Sequence, residues 1–246
     1  MRVLLFILAC LGLISCDPQE QLGVYYMSGF YNASTDSAAI RAFYLDENNR
    51  ISADISWNFF LSGTGNESML TKVDDLLFTS GNLPEWQGKV TLRSEGDHEM
   101  YSSVVIPPII EAISQSAQEI LIDPNDLNEE VLTLSWNSAG QGYSYLLQLQ
   151  PLDEPLSPIP FEGGFFDEQF NGPMEENSIT LISSDFEFYG SHKLTVYVIP
   201  EVYKNLFFFQ GRGLGFLAEE GPDNVTGGKG VFTAVRSLDF TFEVTP

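Results

Sequence analysis

Two cysteines, two histidines and eleven basic side chains are all this 246-residue chain carries of the residue types behind most nucleophilic, metal and nucleic-acid chemistry. The eleven Lys and Arg stand against 34 Asp and Glu, a formal net charge of −23. That balance excludes electrostatic nucleic-acid binding, because nothing could neutralise a run of phosphates. It equally excludes docking on an anionic membrane through basic side chains. The cysteines, Cys10 and Cys16, both lie near the N-terminus. Beyond residue 16, disulfides, thiolate nucleophiles and cysteine-ligated zinc are therefore excluded. The histidines, His98 and His192, are far apart in sequence and give no H-x-x-x-H pair, and no G-x-S-x-G elbow exists. Both read as exposed turn histidines. Adjacent carboxylates such as Glu129-Glu130 and Glu219-Glu220 abound. Adjacency does not set two carboxylates across a cleft, since strand neighbours point to opposite faces. The chain reads as no enzyme.

What is present is apolar: 43% hydrophobic and 13% aromatic residues, enough for a sizeable core. The longest apolar run is N-terminal. Residues 1–16 read MRVLLFILACLGLISC, with Arg2 followed by an uncharged stretch from Val3 to Ile14. It is shorter than the roughly 20 residues that span a bilayer, and has the form of a signal-peptide core. Leu13-Ile14-Ser15-Cys16 resembles a bacterial lipobox, in which the cysteine takes a diacylglyceryl thioether and becomes the acylated N-terminus. Two or three acyl chains anchor stably where one does not. The expected organisation is a signal peptide over 1–15 and a lipidated tether over 16–22. Both native cysteines are then consumed, and the loss of Arg2 leaves 34 acids against 10 bases.

The remaining pattern is that of strands. Ile51-Ser-Ala53-Asp-Ile55-Ser-Trp57-Asn-Phe59 alternates apolar and polar residues, predicting one half-buried antiparallel strand with Trp57 in the core. Lys193–Val198 and Leu238–Val244 repeat the alternation. Leu132–Trp136 and Tyr145–Gln150 flank Asn137-Ser-Ala-Gly-Gln-Gly142, which reads as a hairpin loop. Turn chemistry recurs at Asp46–Asn49, Gly63–Asn66 and Ser94–Asp97. Ile109–Leu121 fits either a short helix or an extended linker.

Pro107-Pro108 stops a strand pattern and marks a boundary. Residues 23–106 have the size of an immunoglobulin-like sandwich. Residues 107–246 form the second unit, whose Trp136 on an early strand and Tyr197 on a later one resemble a fibronectin-III sandwich. It carries a long insertion, 151–178, with four prolines before Gly163 and seven acidic residues. The predicted fold is all-β: two antiparallel β-sandwich units, immunoglobulin-like or fibronectin-III-like, after a lipoprotein signal peptide.

Four features together resemble a family of Bacteroidota surface lipoproteins whose domain has no assigned function. They are the lipobox, a first β domain, the proline-terminated strand Ser103-Val-Val-Ile-Pro-Pro108 and a glycine-rich C-terminal signature. The signature reads Pro222-Asp-Asn224-Val-Thr-Gly227-Gly228-Lys-Gly230-Val231-Phe232, preceded by Tyr203-Lys-Asn-Leu-Phe207. This chain is shorter than the resemblance implies. Membership implies an outer-membrane location, a TonB-dependent transporter as partner and no defined chemistry.

Candidate sites are few. Cys16 is the lipidation site. From Ser94 to His192, ninety-nine residues carry eighteen acids and no Lys or Arg. This stretch reads as a solvated acidic face or, more sharply, as a cation site. Asp123, Asn125, Asp126 and Asn128 are the best candidates for Ca²⁺, the one cofactor considered; they lack the glycine and closing glutamate of an EF-hand. Asp36-Ser37-Ala38 resembles a Bacteroidota O-glycosylation site at Ser37. Phe165-Phe166 in the insertion and Phe207-Phe208-Phe209, which cannot all face inward on one strand, are candidate partner contacts. The expected function is that of a lipid-anchored envelope protein binding a ligand or partner, accessory to an outer-membrane transporter. A fimbrial or adhesive subunit is the alternative, and a hydrolase a distant third.

Overall fold

The structure, a computed structural model, describes residues 23–48, 50–52, 56–123, 125–152, 174–210, 213–216 and 223–246. Among them there is no α-helix, only two 3₁₀ turns, Ser183–Asp185 and Glu201–Leu206. The strands are β1 (Val24–Asn32), β2 (Ser37–Leu45), β3 (Ile51–Ser52), β4 (Trp57–Gly63), β5 (Asn66–Met69), β6 (Thr71–Lys72), β7 (Leu77–Ser80), β8 (Lys89–Gly96) and β9 (Tyr101–Val105). They continue as β10 (Ala112–Gln115), β11 (Glu119–Leu121), β12 (Glu130–Trp136), β13 (Tyr143–Pro151), β14 (Ser178–Ile182), β15 (Gly190–Pro200), β16 (Phe207–Gln210), β17 (Gly213–Phe216) and β18 (Phe232–Thr245).

Period-two burial shows why these segments pair into layers. In β4, Trp57, Phe59 and Leu61 turn inward while Asn58 faces solvent. The four-stranded sheet β5-β4-β8-β9 carries that apolar face onto β1, β2 and β7, and Met27, Tyr31, Ile40, Phe78 and Leu92 complete the first core. Trp86 enters the same core from a loop, its ring resting where a Cβ on Gly63 would lie 2.1 Å away. In the second unit, the three-stranded sheet β10-β12-β14 covers β13, β15 and the later half of β18. Its core holds Trp136, Tyr145, Val196, Phe186 and Phe240, with Trp136 and Tyr145 edge to face at 5.4 Å. Both predicted core tryptophans are buried. The described chain is all-β, two packed β-sandwich units of mostly antiparallel strands.

One strand belongs to both. Phe232–Val235 of β18 run parallel to Gly29–Asn32 of β1, and Arg236–Val244 run antiparallel to Val198–Gly190 of β15. Phe232 and Ala234 face the first core and Phe240, Phe242 and Val244 the second, with Arg236 at the crossing between them. The C-terminal residues are thus shared between the units rather than confined to the second. The result is one sheet in the order β13-β15-β18-β1-β2-β7-β6, running through both sandwiches. Ile106 lies in the first core and Ile110 in the second, on either side of Pro107-Pro108.

Two strand expectations need correction. The single strand over 51–59 is two: β3 pairs with β2, whereas β4 pairs with β5 and β8 in the opposite sheet. Residues 53–55 lie outside the described residues. Alternation reports which face a residue takes, not which strand it pairs with. For the same reason Asn137–Gly142 is no hairpin loop. β12 pairs with β10 and β14, and β13 with β15, so the loop carries the chain from one sheet across the core to the other. The segment Ile109–Leu121 is extended, providing β10 and β11.

Candidate functional site

The most densely built constellation is the glycine-rich signature. Asn224 grips the start of β18 from both sides: its Nδ2 donates to the Phe232 carbonyl at 2.6 Å, and the Phe232 N–H donates to its Oδ1 at 2.9 Å. The same Nδ2 donates to the Tyr203 hydroxyl at 2.9 Å, and the Gly230 N–H donates to Asp223 Oδ1 at 2.7 Å. Lys229 exchanges backbone bonds with β1, its N–H reaching the Tyr25 carbonyl at 2.8 Å while the Met27 N–H reaches its own carbonyl at 2.9 Å. On the other flank Thr226 exchanges bonds with Tyr101, extending β9.

Two of the glycines are required by this close approach. Gly230 has φ +122° and a Cβ there would sit 2.1 Å from the Met27 carbonyl; Gly227 has φ +85° and would meet the Glu99 carbonyl at 2.3 Å. The turn is held from above by His98, whose Nε2 bonds the Gly227 carbonyl and whose ring stacks on Tyr25 at 3.9 Å. Chemically this is a clasp. Its backbone groups are largely paired with β1, β9 and the Asn224 and Asp223 side chains.

Neither histidine is the free surface group the sequence suggested. His98 is half-buried in that clasp. His192, 3% exposed, lies between Phe186 and Phe242 at the far end of the second core, with Nδ1–H donating to the Gly190 carbonyl at 2.9 Å. Burial holds its pKa below the usual histidine value, partly countered by the Gly190 bond and the Glu243 charge. The two rings sit in different cores and cannot share a site.

The turn at Asp123–Asn128 is exposed and closed on itself. Asp123 Oδ1 accepts both the backbone N–H and Nδ2–H of Asn125, at 2.8 and 2.9 Å, and Asp126 N–H donates to the Asp123 carbonyl. Those bonds hold the Asp123 carboxyl below the usual carboxylate range. An oxygen committed to two donors is poorly placed to enter a Ca²⁺ shell of six to eight ligands. Among the described residues no group of three or more His, Cys, Asp or Glu side chains converges for a metal. The same turn docks on the 3₁₀ turn after β14, Ser184 N–H reaching the Leu127 carbonyl and Ser183 N–H the Glu129 carbonyl.

Ser37 opens β2 and is half-buried, its Oγ 2.7 Å from that of Thr35, beside Asp36, whose φ is +47° and whose carboxylate takes the Tyr31 hydroxyl. Burial, with Asp36 adding to it, pushes the Tyr31 phenol up to about 12. Phe207 and Phe208 fall on β16, paired with β17 in a separate two-stranded ribbon. Phe165, Phe166 and Cys16 lie outside the described residues. Sequence reasoning missed Arg236. At the crossing of β18 between units its Nε donates to the Pro107 carbonyl at 2.8 Å, and its Nη1 lies 3.5 Å from the Ala33 carbonyl. A lone base amid an apolar strand pattern was the available signal.

No family model matches the chain, and no curated protein does. Solved structures align with it only weakly. The FN1–FN3 domains of chicken CNTN1 align over 89% of this chain and 67% of theirs, at 8% identity and a TM-score of 0.32. The Yersinia pseudotuberculosis adhesin InvE aligns over 89% of this chain and 58% of its own, at 12% identity and a TM-score of 0.25. E. coli alpha-2-macroglobulin covers 92% of this chain with 14% of its own length, at 12% identity and a TM-score of 0.25.

Proposed function

We propose that this chain is a lipid-anchored envelope protein that carries a partner-binding β-sandwich on a second, membrane-proximal one, as an accessory to an outer-membrane transporter of the TonB-dependent kind. The observation that carries the reading is the placement of the N-terminal strand. Val24 pairs with Leu45 at one end of the first sandwich, whereas Asn32 pairs with Val235, just before β18 enters the second. The chain therefore enters at the pole farthest from the second unit. Only seven residue steps separate Cys16 from Gly23, at most about 25 Å of extended chain. A lipid on Cys16 would hold the first sandwich near the bilayer. The eight steps of β1 and the further nine of β18 would then set the far end of the second sandwich on the order of 50 Å beyond that entry point.

That far end is acidic. Asp123, Asp126, Glu129 and Glu130 lie exposed on the turn that docks against Ser183 and Ser184. The aromatic residues Phe165, Phe166, Phe207 and Phe208 are the other contacts this reading assigns to a partner, and Ser37 is its one glycosylation candidate. The test is affinity purification of the full-length chain from its native envelope in mild detergent, alongside a glycan and peptide binding screen. Recovery of an outer-membrane transporter at near-stoichiometric yield is the expected result. Neither a transporter nor a ligand in either assay refutes the binding role, and SDS-resistant polymers of the chain would favour a fimbrial subunit instead.

A further inference from the structure

We infer that the fold is a tension-bearing tether: it resists force applied between its N-terminal entry and its far end, through the parallel seam that β18 makes with β1. The inference rests on the anchored reading above for its biological setting, but its physical content lies in the strand directions. β1 runs from Val24 at the entry pole towards Asn32, and β18 runs beside it in the same direction before continuing into the second sandwich. Pulling the start of β1 and the end of β18 apart slides two parallel strands along each other. All the bonds across such a seam are loaded together and must fail together. A pair of strands pulled apart from neighbouring ends opens like a zipper, one bond at a time.

The seam is long and continues into the signature. Tyr25, Met27, Gly29 and Ala33 bond in turn with Lys229, Lys229, Val231 and Val235, at 2.8 to 2.9 Å. The missing Cβ at Gly230 is what lets the turn before β18 lie against Met27 and extend the seam towards the entry pole. Asn224, by binding both backbone groups of Phe232, pins the strand where the seam passes into β18 proper. Beyond the crossing the same strand is held in shear again, by nine registered pairs with β15 and three with β11. No weak joint lies between the sandwiches on this path, because the covalent backbone of β18 is itself the link and Arg236 ties it to the Pro107 carbonyl of the other crossing segment. The clasp thus has a role beyond folding.

Single-molecule pulling tests this directly, and the scarcity of cysteine makes attachment simple. In the full chain with Cys10→Ser and Cys16→Ser, handles at Gln21→Cys and Pro246→Cys load the seam in shear. Handles at Gln21→Cys and Glu47→Cys instead peel β1 from β2 from adjacent ends, since Val24 pairs with Leu45. Rupture force reports the unfolding barrier along each direction, and the axial pair is expected to need at least about twofold more force at the same loading rate. Equal or lower axial force overturns the proposal. Because Cys16 is absent from both proteins, a failure of the lipid-anchor reading leaves this comparison unaffected.

Discussion

Replacing Asn224 by alanine should destabilise the protein by about 2–4 kcal/mol. The side chain makes three hydrogen bonds, two of them to the backbone N–H and carbonyl of Phe232, a residue with no solvent exposure. Each bond contributes about 1 kcal/mol net, and a buried donor or acceptor left unpaired costs about 1–3 kcal/mol. Two orphaned groups at Phe232 set the range; the Tyr203 hydroxyl, half-buried, adds little. Equilibrium urea unfolding should show a lowered midpoint with an unchanged slope, the mark of altered stability rather than altered compactness. Asn224→Asp sharpens the argument. It keeps the acceptor for the Phe232 N–H but loses the donor to the Phe232 carbonyl and sets a carboxylate against it. At pH 7 it should therefore be at least as damaging as alanine, and should gain on alanine in acid as the protonated carboxyl regains a donor. A change below about 0.5 kcal/mol for Asn224→Ala, the range of ordinary surface substitutions, would refute the clasp.

Stability should fall as pH drops below the ordinary histidine value of 6.5, because His192 has a lowered pKa in the fold and the unfolded chain takes the proton first. Thermal melts of His192→Phe should lack that part of the acid limb. Because β18 is common to both cores, single-tryptophan variants reporting from Trp57 or Trp86 and from Trp136 should give coincident denaturation midpoints; two separated transitions would mean the units fold independently. Calcium should raise the melting temperature no more than NaCl of equal ionic strength, by screening the acidic face. A Ca²⁺-specific rise abolished by Asp126→Ala would show a site after all.

Much of the fold was legible because period-two alternation states directly which side chains face a core. Buried Trp57 and Trp136 followed from it, while the Asp46 turn was legible from its side chain, whose Oδ1 accepts the N–H groups of Asn48 and Arg50. Partnership was not legible. The break between β3 and β4, the sheet-to-sheet path of Asn137–Gly142 and the double duty of β18 all depend on which strand lies alongside, and alternation is silent on that. Trp86 escaped because it sits in a loop with no period, its burial created by Gly63 in another strand. The glycine signature could be seen as letters, but its meaning as a clasp needed Met27 and Glu99 brought against its glycines from two distant segments. His192 misled because Gly190-Ser191 before it looks like a turn, whereas β15 begins there and buries the ring.

The proposed role depends on attachment at Cys16. Metabolic labelling with a palmitate analogue, read together with membrane fractionation of the chain and of Cys16→Ala, tests that attachment. The protein should be labelled and membrane-bound, and the variant unlabelled and either unprocessed or released. A Cys16→Ala protein that stays labelled and membrane-bound would contradict it.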